Sequence, residues 1–337
     1  MSSIALRLFF ACILSFCFTY YLIPIFIAIA RKYNIIDFPD GIIKQHVLPT
    51  PYLGGAAIYL GFLLTLAVVF PFDNQFFLFL VGSSLLFYIG LIDDLIQLQP
   101  LQKFLGQIIA VICFIRAGFY LKSHLYCNLW SMPISVLWML LIINAFNLID
   151  IMDGLASITA LCCALNFLVL AILTEQYIPA LLLCSIIGSI AAFLCFNKPP
   201  AYIYLGDAGS LFIGGLFSTI PFLFPWGGMN VHGYIIPVIA LAIPLLEVCG
   251  LICIRTYRGL LFYKPSKHHF MHYLKRNHFS ENEILRFIFM MSCILIVSAA
   301  LFVKNSLQID RLMVIGGGFL AYWIYSLAPQ RNSFFLK

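Results

Sequence analysis

Long apolar blocks dominate this chain, and its polar residues gather in the gaps between them. A helix that crosses a bilayer needs about 20 predominantly apolar residues. That rule predicts eleven spanning helices, at roughly 4–30, 53–71, 76–92, 101–120, 131–149, 155–174, 178–196, 208–226, 233–255, 283–303 and 311–328. The expected fold class is therefore an all-α polytopic membrane protein with about eleven transmembrane helices, ten being the near alternative. The first block follows Arg7 and runs to Ala30. It is too long for a signal-peptide core and has no clear small-x-small cleavage site, so it is expected to stay as the first membrane helix.

Composition sharpens this picture. Of 337 residues, 63% are apolar and 9% charged, whereas a soluble domain carries roughly 25% charged residues. So little polar sequence leaves no room for a separate soluble domain, and 1–337 reads as one integral membrane unit. The eleven cysteines are scattered, mostly inside apolar blocks, with no C-x-x-C pair to suggest a metal or redox motif. The net charge of +6 reads as a topology signal rather than a nucleic-acid footprint.

Lys and Arg set the expected orientation. With 31–52 placed in the cytoplasm and the loops alternating, thirteen Lys and Arg residues fall on the cytoplasmic side and five on the other (Arg7, Arg116, Lys122, Lys304 and Arg311). The N-terminus would lie outside and the C-terminus inside. The same alternation puts the polar clusters on the cytoplasmic side, in 31–52, 93–100, 144–154, 197–210 and 255–282. These are the expected active-site loops, and a cytoplasmic metabolite is the expected donor.

Asn144 to Gly154 reads N-A-F-N-L-I-D-I-M-D-G. Asn147, Asp150 and Asp153 are spaced by three, so a helix end would present all three on one face. Ionisable groups at membrane depth usually face a cavity, a partner or an ion; the plainer reading is a capped helix boundary. Asp93-Asp94 closes another apolar block. Adjacent carboxylates repel unless a cation or solvent offsets them, and Mg²⁺ commonly takes one or two carboxylates plus substrate phosphates. A solvated helix end is the alternative. In Y-I-Y-L-G-D-A-G-S, Asp207 sits between Gly206 and Gly209, which suits close approach of backbone to a ligand. The helix start that follows would favour a phosphate, or Asp207 is simply an N-cap. Asn197, ten residues earlier, would reach the same space or cap its own helix.

Lys264 to His278 holds four of the seven histidines and four cations. Anionic phosphates are natural partners for it; a juxtamembrane segment on anionic lipid is the rival reading. Lys44 and His46, in the stretch leading into H-V-L-P-T-P-Y-L-G-G, are candidate phosphate contacts in what is otherwise a structural loop. Glu247 lies inside an apolar block and must be paired or face a cavity. Carboxylates for Mg²⁺, basic groups for phosphate and a bilayer together suggest phosphoryl transfer from a nucleotide-linked donor to a lipid acceptor.

These motifs resemble those of the polyprenyl-phosphate N-acetylhexosamine-1-phosphate transferases, in glycosyltransferase family 4, and their WecA-like branch in particular. The resemblance spans about 37 to 280. It includes Asp37–Pro39, His46–Gly55, Asp93-Asp94, Asn147–Gly154, Asn197–Ser210 and His269–His272. It implies ten or eleven membrane helices around a cytoplasm-facing cleft in a bacterial inner membrane. The implied reaction moves a sugar-1-phosphate, GlcNAc-1-phosphate first, from a UDP-sugar to undecaprenyl phosphate and releases UMP. The product would start a lipid-linked envelope glycan, as in O-antigen lipopolysaccharide or cell-wall biogenesis.

The resemblance also implies roles. Asp207 would bind Mg²⁺, for which Mn²⁺ would substitute, and Asp93 and Asp94 would serve the metal and the lipid phosphate. Asn147, Asp150, Asp153 and Asn197 would line the nucleotide site. His269 and His272 would hold the diphosphate or sugar phosphate, with Lys267 beside them. A homodimer is left open. The last loop departs from the branch pattern: Met271 stands where a middle histidine is usual, and Ser266 where an acidic residue is usual. The related branch that transfers phospho-MurNAc-pentapeptide has three consecutive histidines; here His268-His269 is followed by Phe270. From a different class, a secondary transporter would put ionisable groups near the midplane in paired broken helices. The carboxylates here gather at one face instead, without duplicated halves.

Overall fold

The computed structural model of the chain describes residues 2–37, 49–71, 73–121, 128–226, 232–257, 259, 269–304 and 307–327. Lys44, His46 and Lys267 lie outside the described residues. Among those described there are thirteen α-helices: α1 (Ser2–Lys32), α2 (Gly54–Val69), α3 (Asn74–Ile96), α4 (Pro100–Arg116), α5 (Asn128–Ile149), α6 (Leu155–Leu173), α7 (Tyr177–Asn197), α8 (Gly206–Thr219), α9 (Ile236–Ala240), α10 (Ala242–Tyr257), α11 (Phe270–Arg276), α12 (Glu281–Val303) and α13 (Ile309–Leu327).

Local chemistry marks the starts. Asp73 caps α3, its carboxylate accepting from Phe76 N at 2.7 Å. Gln99 caps α4 with Pro100 behind it in the first turn, where a missing N–H costs nothing. Ser280 and Glu283 form a reciprocal capping box at α12.

Every predicted span has a helical counterpart, but the spans are not equal. Among the described residues, seven helices are long and apolar enough to cross a membrane, and an eighth span is counted if a bent pair is taken as one. That pair is α9 and α10, expected as one helix over 233–255 and instead bent by 76°. Pro244 is the reason. A proline ring clashes with the carbonyl four residues back, here Ala240, where α9 ends. Two other predicted spans are short, α2 with 16 residues and α4 with 17.

Helix α8 is the centre of the bundle. It packs on α2, α3 and α5, and Asp207 is its one residue that is not buried. A helix apolar on every side belongs in an interior. Phe212, fully buried, meets Tyr59 and Phe62 of α2 with ring centroids 5.3 and 5.6 Å away. Phe217 stacks on Phe146 of α5 at 5.1 Å. The outward faces stay apolar, with Phe9, Leu137, Val297 and Val314 all well exposed, as a lipid-facing surface requires. A short ladder, β1 (Ile36–Asp37) against β2 (Thr50–Pro51), runs antiparallel. The Pro51 carbonyl accepts from Tyr204 N at 2.8 Å, so the ladder is tied to the segment that leads into α8.

Phe212→Ala would leave a ring-sized void where α8 meets α2. It is expected to destabilise by about 3–5 kcal/mol, read as a lower unfolding temperature of the detergent-purified protein.

Candidate active site

Four helix ends meet at one end of the bundle. They are the last turn of α3 with Asp93 and Asp94, the first turn of α4 with Lys103, the last turn of α5 with Asn147, and the first turn of α8 with Asp207. Each of these residues is partly accessible, as is Asp153 just beyond α5, while the carboxyl of Asp150 between them is buried. Together they make a polar patch at one end of an apolar body.

The α3–α4 turn sets the first contacts. Gln97 adopts left-handed backbone and reverses the chain, and Leu98 N donates to Asp93 Oδ1 at 2.7 Å. Lys103 then comes back alongside Asp93, with Nζ 2.8 Å from Asp93 Oδ2. The same ammonium donates to Asp207 Oδ2 at 2.6 Å and to Asn147 Oδ1 at 3.2 Å. Asn147 Nδ2 donates in turn to Asp207 Oδ1 at 2.6 Å and to Ser210 Oγ at 3.0 Å. One turn along α4, Gln107 and Asn144 exchange amide hydrogen bonds of 2.8 and 3.3 Å. This second rung fixes α4 against α5 and so fixes Lys103 against Asn147.

Asp94 does something different from its neighbour. Its two oxygens accept from Asp207 N at 2.8 Å and Ala208 N at 3.0 Å, satisfying N–H groups that a helix start otherwise leaves orphaned. The fit leaves no space at Gly206, whose φ is +72° and where a Cβ would stand 2.6 Å from Asp94 Oδ2. Gly90 is equally constrained, since a Cβ there would lie 2.2 Å from the Asp207 carbonyl oxygen.

The 150–154 turn is stitched to the chain between α7 and α8. Asp153 Oδ2 accepts from Ala201 N at 2.8 Å. Asn197 Oδ1 accepts from Gly154 N and Ser157 Oγ at 3.1 and 2.8 Å, and its Nδ2 donates to the Ile203 carbonyl at 3.0 Å. Asn197 is buried, and these bonds make it a brace of the turn. Asp150 is held well above the usual carboxylate range, first by burial and then by the charges of Asp207, Asp94 and Asp153. Tyr52 and Tyr204 flank this region with ring centroids 6.0 Å apart. Burial, then a hydrogen bond to Asp37, raises the Tyr52 phenol, and burial pushes Tyr204 up to about 12. Both stay protonated donors.

The histidines form a second cluster, on α10 and α11. His269 Nδ1 lies 2.7 Å from Glu247 Oε1, and Phe270 N donates to Glu247 Oε2 at 3.2 Å. A carboxylate accepts, so Nδ1 carries the proton and Nε2 is the nitrogen left for a ligand. The His272 ring is 6.1 Å away. Met271 points into the core, beside Phe270, which packs on Trp323 at 4.8 Å.

In the sequence Lys103 is one of the thirteen positive charges on the cytoplasmic side, and neither Gln107 nor Ser210 has an expected role. The usable signal is Lys103 and Gln107 at a spacing of four, which puts both on one face, with Gln107 as the one polar side chain between Phe104 and Ile115. Among the described residues, no group of three Asp, Glu, His or Cys side chains converges at metal-ligand spacing. The donor set nevertheless suits Mg²⁺, which is held by one or two carboxylates plus substrate phosphates rather than by an all-protein cage. Asp93 Oδ2 and Asp207 Oδ2 already share one cation, the Lys103 ammonium.

The family described as glycosyl transferase family 4 matches residues 76–224, from the first turn of α3 to beyond the end of α8. The chain is 29% identical over 296 residues to a probable undecaprenyl-phosphate N-acetylglucosaminyl 1-phosphate transferase of Bacillus subtilis, covering 83% of this chain and 82% of that protein. It is 33% identical over 226 residues to a phospho-N-acetylmuramoyl-pentapeptide-transferase of Bacillus cytotoxicus, covering 59% of this chain and 70% of that protein. A protein of the same name from Bacillus mycoides is 31% identical over the same shares.

Two measurements probe this geometry. Gly206→Ala is expected to lower the unfolding temperature, because its Cβ meets Asp94 and its φ is strained; an unchanged temperature would refute that account of the turn. Asp150→Asn is expected to raise it at neutral pH in metal-free buffer. The raised carboxyl binds its proton more tightly in the folded protein. Stability is therefore lost as pH climbs from the unfolded value, about 4, through the folded one. Asparagine removes that loss, so the variant's unfolding temperature should be flatter than wild type across this window.

Proposed function

The chain belongs to glycosyl transferase family 4, and from that premise we propose that it moves N-acetylhexosamine-1-phosphate from a UDP-sugar to a polyprenyl phosphate and releases UMP. GlcNAc-1-phosphate is the proposed group and undecaprenyl phosphate the proposed acceptor. The observation that carries this reading is the meeting of Asp93, Asp94, Asn147 and Asp207 with Lys103 at one end of an apolar bundle. Such a site combines cation-binding oxygens with an ammonium that already bridges them. We place it on the cytoplasmic side of a bacterial inner membrane, following the distribution of Lys and Arg.

Phosphoryl transfer asks mainly for positioning and charge stabilisation. Mg²⁺ on Asp207 and Asp93 would supply charge neutralisation on the donor diphosphate. The chain's own residues do the rest. Asp94 holds the first turn of α8 so that Asp207 faces Lys103. Asn147 keeps the Asp207 carboxylate oriented through its short hydrogen bond. Glu247 fixes the His269 ring, leaving Nε2 to donate or accept at the sugar phosphate according to its protonation.

A phosphomonoester has a second pKa near 6, so the acceptor is mostly dianionic at neutral pH and needs no strong base. Its oxygen attacks the β-phosphorus, the bond to the α-phosphate oxygen breaks, and UMP leaves with the electron pair. Direct attack is favoured over an aspartyl-phosphate. One oxygen of Asp93 is held by Leu98 N and the other faces the cation of the site, so neither is free to attack phosphorus.

Phospho-MurNAc-pentapeptide as the transferred group is the second reading, favoured by the relatives of that name. The match to the GlcNAc-1-phosphate relative covers more of this chain. Met271 also turns into the core, so the described part of the last loop offers His269 and His272 rather than a run of adjacent rings.

The test is UMP release in detergent with undecaprenyl phosphate, Mg²⁺ and, in parallel, UDP-GlcNAc, UDP-GalNAc or UDP-MurNAc-pentapeptide. Turnover is expected with UDP-GlcNAc, dependent on both Mg²⁺ and lipid. Asp207→Asn should reduce it by roughly 100-fold or more. Turnover with the pentapeptide donor alone would establish the second reading. A phosphorylated Asp93 or Asp150 trapped during turnover would overturn direct attack.

A further inference from the structure

Lys103 stands where a cation of the site would stand. Its Nζ is 2.8 Å from Asp93 Oδ2, 2.6 Å from Asp207 Oδ2 and 3.2 Å from Asn147 Oδ1. Three oxygens from three helices therefore converge on one ammonium. The other oxygens of the two acids are spoken for, Asp93 Oδ1 by Leu98 N and Asp207 Oδ1 by Asn147 Nδ2. Asp94 is no substitute, because both of its oxygens hold the start of α8. The two oxygens that a divalent cation would need are thus the two that Lys103 holds.

We infer that Lys103 is the built-in counter-cation of the resting site, which holds Asp93 and Asp207 together until a divalent cation displaces it. The inference rests on the proposal that Asp207 and Asp93 bind Mg²⁺. An ammonium and a divalent cation cannot share two oxygens at this range, since like charges a few ångströms apart repel strongly away from bulk water. Displacement is mechanically cheap. The ammonium sits on a flexible four-carbon stem, and the Lys103 side chain keeps 17% of its surface exposed, so it can swing away from the two acids on its exposed side. Two consequences follow. Without metal, the ammonium offsets part of the charge of the two carboxylates and holds the helix ends that carry them together. With metal, binding competes against the lysine, and the apparent affinity is weaker than the carboxylates alone would give.

The experiment compares wild type, Lys103→Met and Asp207→Asn as detergent-purified full chains, with no substrate. Unfolding temperatures are measured in chelator and across a Mg²⁺ titration. In chelator Lys103→Met is expected to unfold at a lower temperature than wild type. Added Mg²⁺ should restore it, with a half-saturating concentration about tenfold or more below that of wild type. Asp207→Asn should not respond. Should Lys103→Met fail to fold, the same comparison is made between Asp93→Asn and Asp93→Asn/Lys103→Met, where the double variant should have the lower midpoint. Equal midpoints with and without Lys103, in a protein that does respond to Mg²⁺, overturn the inference and leave the metal reading intact. A higher midpoint without Lys103 overturns it too, by making the lysine an organiser of the metal site. No response to Mg²⁺ in wild type or any Lys103 variant overturns the metal reading, and the inference with it.

Discussion

The two oxygens of Asp94 against the first backbone N–H groups of α8 are the contact on which the rest of the site depends. Helix α8 starts inside the bundle, where an unpaired N–H is expensive, and Asp94 satisfies two of them. A carboxylate is also favoured at the positive end of the helix dipole. The contact fixes the register of α3 against α8 and brings their backbones so close that Gly90 and Gly206 have no room for a side chain. Asp207 is then aimed at Lys103 by backbone geometry rather than by its own rotamer alone.

Charge in this protein is concentrated, and each acid has a distinct arrangement. Asp93 is bound by a backbone N–H and an ammonium, Asp207 by an ammonium and an amide, Asp153 by the N–H of Ala201, and Glu247 by His269 and the N–H of Phe270. Asp150 differs: burial and three neighbouring carboxylates dominate its surroundings. Acids gathered beside the Lys103 ammonium make a site suited to a hard cation and to the phosphates it brings. The polar rungs between α4 and α5 and the buried Asn197 brace are the framework that holds those groups in place.

Most of the architecture was legible in the sequence. Each of the eleven apolar blocks became helix, because length and hydropathy are local properties and burial of backbone polar groups in lipid leaves the helix as the available structure. The break between α9 and α10 was legible as well, in Pro244, but a count of apolar residues passes over a proline that interrupts a block without changing its polarity. The clustering of Asp93, Asp94, Asn147 and Asp207 at one end of the bundle was also expected from the alternation of the loops.

What each of those residues does was decided only by the tertiary structure. Asp93 and Asp94 are adjacent and chemically identical, yet one faces Lys103 and the other ties down α8. Helix periodicity points consecutive side chains in different directions, and what lies in each direction comes from another helix. Lys103 and Asp207 are 104 positions apart, so their contact leaves no local pattern, and Lys103 reads as one more positive charge at a helix end. Asn197 resembles a site residue in sequence and becomes a brace because its three partners arrive from other segments. Met271 looks like a missing histidine until α11 turns it toward Phe270 and the core. The sequence by itself determined the helices, their apolar lengths and the residues gathered at one face. Packing determined which oxygen meets which hydrogen, because contacts between distant segments carry no periodicity of their own.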